Sequence, residues 1–153
     1  MSYKVISQLE FDADAINLKD IRNNLRHIFE EFNVEKNIAD NMVIAINEAC
    51  MNIIQHAYGG VEEDSNIKKI IINIEKNNQQ WRFELIDFAP PVDISTIKAK
   101  DLSEVRPGGL GVSFIQQIMD SVEYANINEH ERQGNRLILI KNTSLGNKNG
   151  MQS

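Results

Sequence analysis

Cysteine is nearly absent from this chain. Its one copy, Cys50, excludes an internal disulfide and a zinc site built from thiolates. Cys50 falls on the apolar side of a helical pattern, so it reads as a buried structural thiol rather than a reactive one. Long apolar runs are missing too. None approaches the roughly 20 residues that a membrane-spanning helix needs, and Met1-Ser2-Tyr3-Lys4-Val5 contains no apolar signal core. A cytoplasmic protein that does not engage a membrane is the expectation. Basic residues are also scarce: 16 Lys and Arg against 22 Asp and Glu leave a net charge of -6. That balance speaks against direct nucleic-acid binding, which takes clustered Lys and Arg to neutralise phosphates. It does not exclude a nucleotide, which needs only a few local donors. There is no internal repeat, and only the last dozen residues are compositionally biased.

What remains is an ordinary globular composition, with 42% hydrophobic and 25% charged residues over 153 positions. This is the length of one domain, enough to bury a core without covalent staples. Alternation of Val5, Ile6, Leu9 and Phe11 predicts a strand over 4–11. Ile16, Leu18, Ile21, Leu25, Ile28, Phe29 and Phe32 recur at helical spacing, with Asp14 or Asn17 as the cap and Asn33 at the end. A second helix is expected from about Glu35 to His56, stopped by Tyr58-Gly59-Gly60. An isoleucine-rich strand over 67–75, a turn at Asn77-Asn78-Gln79-Gln80 and a strand over 81–87 follow as a hairpin. Residues 62–66 read as an acidic exposed loop and 93–109 as a mobile loop. A third helix starts after Gly111, and strands over 122–127 and 134–141 flank a polar turn. The predicted fold class is α/β: a two-layer sandwich whose mixed, mostly antiparallel sheet is covered on one face by three helices. Residues 1–141 form the domain in this reading, and 142–153 a disordered tail.

Three places carry polar groups that suit chemistry. Glu48 and Asn52 are one turn apart on the same face of the otherwise apolar second helix. An amide oxygen at Asn52 suits Mg²⁺, which takes hard oxygen ligands and keeps several waters. A carboxylate at Glu48 can take a proton from an incoming hydroxyl. A plain solvated helix face explains the pair equally well. His56, two turns beyond Glu48, suits either a cap on the helix end, the safer reading, or a contact to the nucleotide region. Asp87 closes a strand before Phe88-Ala89-Pro90-Pro91, where a carboxylate can accept from an exocyclic amine such as adenine's. Taken alone, a solvated turn aspartate is the better reading. Gly108, Gly109 and Gly111 precede a helix start, which suits either a phosphate-cradling loop or a hinge without ligand.

In combination and order these motifs resemble a known family. Glu48-Ala49-x-x-Asn52-x-x-x-His56-Ala57-Tyr58 is followed by Ile86-Asp87-Phe88-Ala89-Pro90-Pro91, then Arg106-Pro107-Gly108-Gly109-Leu110-Gly111, then Gly134-Asn135-Arg136-Leu137. This is the order of the GHKL (Bergerat-fold) ATPases, and it is most similar to the bacterial anti-sigma factor serine/threonine kinases of stress and sporulation partner switches. The resemblance runs from about Ile6 to Lys141. It implies ATP and Mg²⁺ as cofactors, with Glu48 as general base, Asn52 as the metal ligand and Asp87 as the adenine-binding aspartate. It also implies that Gly108, Gly109, Leu110 and Gly111 belong to a lid over the phosphates, that Arg106 approaches the terminal phosphate, and that Ala89 and Asn135 belong to the nucleotide boxes. The implied partners are a STAS-type anti-sigma factor antagonist as substrate and a sigma factor as target, with a homodimer by family analogy.

This chain departs from the pattern in two boxes. Ala89 stands where the family usually has glycine and Pro91 where it has a later one, and a methyl group near adenine is expected to lower affinity. Asn135 stands where threonine is frequent. A non-catalytic module of the same fold that holds a regulator is therefore the rival function. A detached sensor-kinase ATPase domain is set aside, because His27 lacks the acidic surroundings of a phosphoacceptor and no upstream dimerisation helix is seen.

Overall fold

The structure is a computed structural model and describes residues 2–59, 68–91, 110–129 and 132–143. The expected loops over 62–66 and 93–109 lie outside the described residues, as do Arg106, Gly108 and Gly109. So does the chain beyond 143. Strand β1 spans Lys4–Asp12, followed by a 3₁₀ turn (Ala15–Asn17), helix α1 (Leu18–Glu31) and helix α2 (Lys36–Asn52). A π-helical turn (Ile53–Ala57) extends α2. Strands β2 (Lys69–Lys76) and β3 (Gln80–Asp87), helix α3 (Leu110–Ile118), and strands β4 (Ser121–Glu129) and β5 (Arg132–Asn142) complete the elements of the described residues.

Local chemistry explains the boundaries. Asp14 caps the 3₁₀ turn by accepting from the Ile16 N–H at 3.0 Å, whereas the Asn17 side chain makes no cap. Asn33 ends α1 at φ 55°, a left-handed conformation that asparagine tolerates well. Glu35 starts α2 by accepting from the Ile38 N–H at 3.0 Å. Asn77 folds the β2–β3 hairpin by accepting from the N–H groups of Gln79 and Gln80.

The sheet order is β1-β2-β3-β5-β4. Every described strand pair is antiparallel, so the sheet is more uniform than the mixed one expected. A bulge between Val5 and Ser7 shifts the register of β1. The last strand runs one residue past its expected end, through Asn142, which accepts from Gln80 Nε2 at 2.9 Å.

Strand parity sorts the two faces. Ile70, Ile72, Ile74, Trp81, Phe83, Leu85, Leu137 and Leu139 are buried towards the helices. They meet Ile21, Leu25 and Phe29 of α1 and Met42, Val43, Ile46, Ala49 and Cys50 of α2 in one core. Phe29 stands edge-on to Trp81, with ring centroids 5.2 Å apart, and Trp81 stacks on Phe83 at 6.1 Å. The opposite face carries a cross-strand polar ladder. Arg82 pairs with Glu75 at 2.6 Å, and Asn73 donates to Glu84 at 2.9 Å. One face is thus closed by helices, as expected, and α2 packs between α1 and α3.

Candidate functional site

The inward row of β3 does not stop at Leu85. Asp87 has the same parity as Trp81, Phe83 and Leu85, and it is only 3% exposed. The bland reading of a solvated turn aspartate is therefore wrong. The signal against it was already in the alternation of the strand. Burial pushes the Asp87 carboxyl above the usual carboxylate range. Hydrogen bonds from the Asn135 side chain and the Ala89 backbone pull it partly back.

Those two donors share one oxygen. Ala89 N–H and Asn135 Nδ2 each reach Asp87 Oδ1 at 3.0 Å. The second oxygen, Oδ2, takes no hydrogen bond among the described residues. Asn135 also donates to the Pro90 carbonyl at 3.2 Å and accepts from Asn126 Nδ2 at 3.0 Å. The register explains the cluster: Asp87 faces Asn135 across β3 and β5, and Asn135 faces Asn126 across β5 and β4. Gly134 allows the close approach. A Cβ there would lie 2.1 Å from the Asp87 carbonyl oxygen. Ala89 contributes through its N–H, since its methyl is enclosed in the core at 1% exposure.

Glu48 and Asn52 occupy successive turns of α2, both half-buried beside the fully enclosed Ala49 and Cys50. Burial also pushes the Cys50 thiol up to about 12, which makes it inert at neutral pH, as its place in the pattern predicts. Leu110 and Gly111 form the first turn of α3, the helix beside α2. The structure thus joins Asp87, Ala89 and Asn135 by hydrogen bonds. Among the described residues no hydrogen bond is seen from Glu48 or Asn52 to this cluster, and these two sit on α2 by its helical spacing.

Two features escaped the sequence reading. Helix α2 was expected to run unbroken to about His56, but it widens into a π turn after Asn52, with the Tyr58 N–H donating to the Ile53 carbonyl at 2.9 Å. Such turns concentrate at functional positions. Asn126 is the second omission. It stands on β4 with no flanking motif, and only the register of β4 on β5 brings it to Asn135.

The donor set can be tested against a nucleotide and its metal. Adenine presents an exocyclic amine donor, and Asp87, a buried residue, offers a second carboxylate oxygen without a partner among the described residues. Among these residues no three metal-ligating side chains cluster. Mg²⁺ beside phosphates asks for only one or two protein oxygens, with water and phosphate supplying the rest. Asn52, half-buried on α2, carries one amide oxygen of that kind.

A two-layer α/β sandwich with a buried carboxylate at the end of β3 and helices on one face of an antiparallel sheet has the architecture of GHKL-type ATPase folds. Residues 11–141 match the family model of the histidine kinase-like ATPase domain. The chain belongs to that family. Among curated relatives it is similar to the serine-protein kinase RsbW of Staphylococcus aureus (strain JH9). The two are 27% identical over 123 residues, covering 75% of this chain and 76% of RsbW. The same figures hold for RsbW of strain Newman. Among solved structures, a chain of the SiaB-SiaC complex from Pseudomonas aeruginosa superposes with a TM-score of 0.65 at 13% identity, covering 89% of this chain and 90% of that one. At that identity the likeness speaks for the fold.

Proposed function

We propose that this protein is an ATP-dependent serine/threonine protein kinase that phosphorylates a STAS-type anti-sigma factor antagonist and, when not so engaged, holds a sigma factor. The observation that carries the reading is the buried Asp87 carboxylate, oriented through one oxygen by Ala89 and Asn135. A carboxylate costs stability when buried. A base-recognition role accounts for keeping it at the end of β3. The similarity to a serine-protein kinase favours phosphoryl transfer to a hydroxyl as the chemistry.

Each residue then has a task. Asp87 Oδ2 accepts from the adenine amine, and Asn135 holds Oδ1 so that the carboxylate cannot turn away. Asn52 presents its amide oxygen to Mg²⁺. Glu48, one turn before it, takes the proton from the attacking serine or threonine hydroxyl. Gly111, at the start of α3, leaves the first backbone N–H groups open to phosphate oxygens. Arg106, Gly108, Gly109 and Leu110 complete the proposed phosphate-facing segment. Bound Mg·ATP would supply the phosphoryl group and neutralise the charge that develops on it.

The test is transfer of label from γ-labelled ATP to a STAS-fold antagonist at serine or threonine. Glu48→Gln should abolish transfer while leaving ATP binding in place. Equal labelling by wild type and Glu48→Gln would refute the assignment of the base. If calorimetry finds no ATP binding at millimolar concentration, the protein is the non-catalytic regulator-binding module instead.

A further inference from the structure

Tyr58 has no place in the proposed chemistry, yet its hydroxyl is fully engaged. It is 4% exposed and follows the π turn that extends α2. Its hydroxyl donates to the Lys69 carbonyl at 2.7 Å. It accepts from the Lys69 N–H at 3.2 Å and from the Phe88 N–H at 2.7 Å. One donor and two acceptor sites are what a phenol possesses, so this one atom saturates itself on three backbone groups. Two of them start β2. The third lies between Asp87 and Ala89, in the turn that follows β3.

We infer that Tyr58 is a positioning residue for base recognition: its hydroxyl fixes the Phe88 backbone, and through it the Asp87 carboxylate, relative to the end of the helix that carries Glu48 and Asn52. This rests on the nucleotide reading given above. The physical case is independent of it. The Asp87-Phe88-Ala89 segment is held from two sides. From β5, Asn135 holds the Asp87 carboxylate and the Pro90 carbonyl. From α2, Tyr58 holds the Phe88 amide. The β2 and β5 ladders hold the Asp87 backbone in register but end at that residue. The Tyr58 anchor fixes the turn that follows, from which the Ala89 N–H reaches the Asp87 carboxylate. The π turn makes the reach possible, because the Tyr58 N–H closes on Ile53, five residues back, and so Tyr58 leaves the helix facing the sheet. Gly59 then clears the way, since a Cβ there would lie 1.9 Å from the Gln55 carbonyl oxygen.

The consequence is selective. Losing the hydroxyl should harm recognition of the adenine amine and spare the phosphate and metal end of the site. Tyr58→Phe keeps the ring and its packing. Its affinities are measured by calorimetry with Mg²⁺ and three probes: ATP, inosine triphosphate and inorganic tripolyphosphate. Inosine carries a carbonyl where adenine carries the amine. The expected result is a preference for ATP over inosine triphosphate reduced about tenfold, the effect of one well-made hydrogen bond, with tripolyphosphate binding unchanged. Equal weakening of all three probes would mean a merely structural tyrosine and overturn the inference. A second measurement does not need the nucleotide. Amide hydrogen exchange at Phe88 and Ala89 should quicken in Tyr58→Phe while α2 and the centre of β3 keep their protection. Unchanged exchange there overturns the inference even if ATP binds. Wild-type protein that binds no ATP refutes the nucleotide reading, and the exchange result still decides the role of Tyr58 in fixing the turn.

Discussion

Truncating Asn135 to alanine tests the site and the fold together. The side chain donates to the Asp87 carboxylate and the Pro90 carbonyl and accepts from Asn126. The bond to a carboxylate is worth about 1.5–3 kcal/mol and the neutral ones about 0.5–1.5 kcal/mol each, part of which water entering the truncated site restores. The expected loss is about 3 kcal/mol, which for a chain of this length lowers Tm by roughly 6–12 °C. The loss should depend on pH with a definite sign. Burial holds the Asp87 carboxyl above its ordinary range, and the Asn135 bond pulls it down. Without Asn135 it rises further. The folded variant then binds a proton where the unfolded chain does not. Between the unfolded-state value and the raised folded value, its stability falls as pH rises. Below both, Asp87 is protonated in either state and this part of the difference disappears. Asn135→Ala should therefore cost most at neutral pH and least in acid. The assay is urea unfolding of wild type, Asn135→Ala, Asp87→Asn and the double variant across that pH range. A coupling energy of about 1.5–3 kcal/mol at neutral pH is expected. Coupling below about 0.5 kcal/mol, or a loss that does not change with pH, would refute the claim that Asn135 orients a buried charge.

Three further outcomes follow from the same geometry. Gly134→Ala drives a methyl into the Asp87 backbone and should cost about 1–3 kcal/mol in urea unfolding while weakening ATP binding; wild-type values for both would mean that β3 yields freely there. The Cys50 thiol, buried and pushed up to about 12, should resist iodoacetamide at pH 8 until the protein unfolds, and alkylation of native protein at the rate of a free thiol would contradict its burial. Trp81→Ala removes the ring that touches Phe29 and Phe83 and should cost about 3–5 kcal/mol by denaturant titration. A loss under about 1 kcal/mol would show a core able to refill.

Much of the fold is legible from periodicity because each layer buries one face. The inward rows of β2 and β3 and the apolar stripes of α1 and α2 are visible as spacing alone. The cap at Asp14, the helix end at Asn33 and the helix start near Glu35 follow from side-chain chemistry within four residues. What escapes the sequence is whatever depends on partners far along the chain. The Tyr58 hydroxyl bonds at Lys69 and Phe88, 11 and 30 residues away, and nothing local announces them. Asn126 is of the same kind. Asp87 is the instructive case. Its parity with Trp81, Phe83 and Leu85 points inward, while the turn-forming residues after it point outward. Parity prevails because the ladder from Ile70 to Asp87 holds the last residue in register. The resemblance to GHKL ATPases singles out Asp87 by its place in a motif. Its burial, however, is read from strand geometry.

The π turn after Asn52 carries a consequence for how this segment tolerates change in length. A π turn holds one residue more than the α-helical turn it replaces. Deleting one residue between Ile53 and Ala57 would let the helix close up in ordinary α geometry with its exit facing almost the same way, so Tyr58 would still meet Lys69 and Phe88. Relaxation of the turn to α geometry at full length is the damaging change: every residue beyond would swing by about 100° around the helix axis. Tyr58 would then turn away from Lys69 and Phe88, and Gly59 would no longer fall where the chain passes the Gln55 carbonyl. Functional relatives one residue shorter across Ile53–Ala57 should therefore carry a plain α-helical turn there and keep the tyrosine at the helix exit.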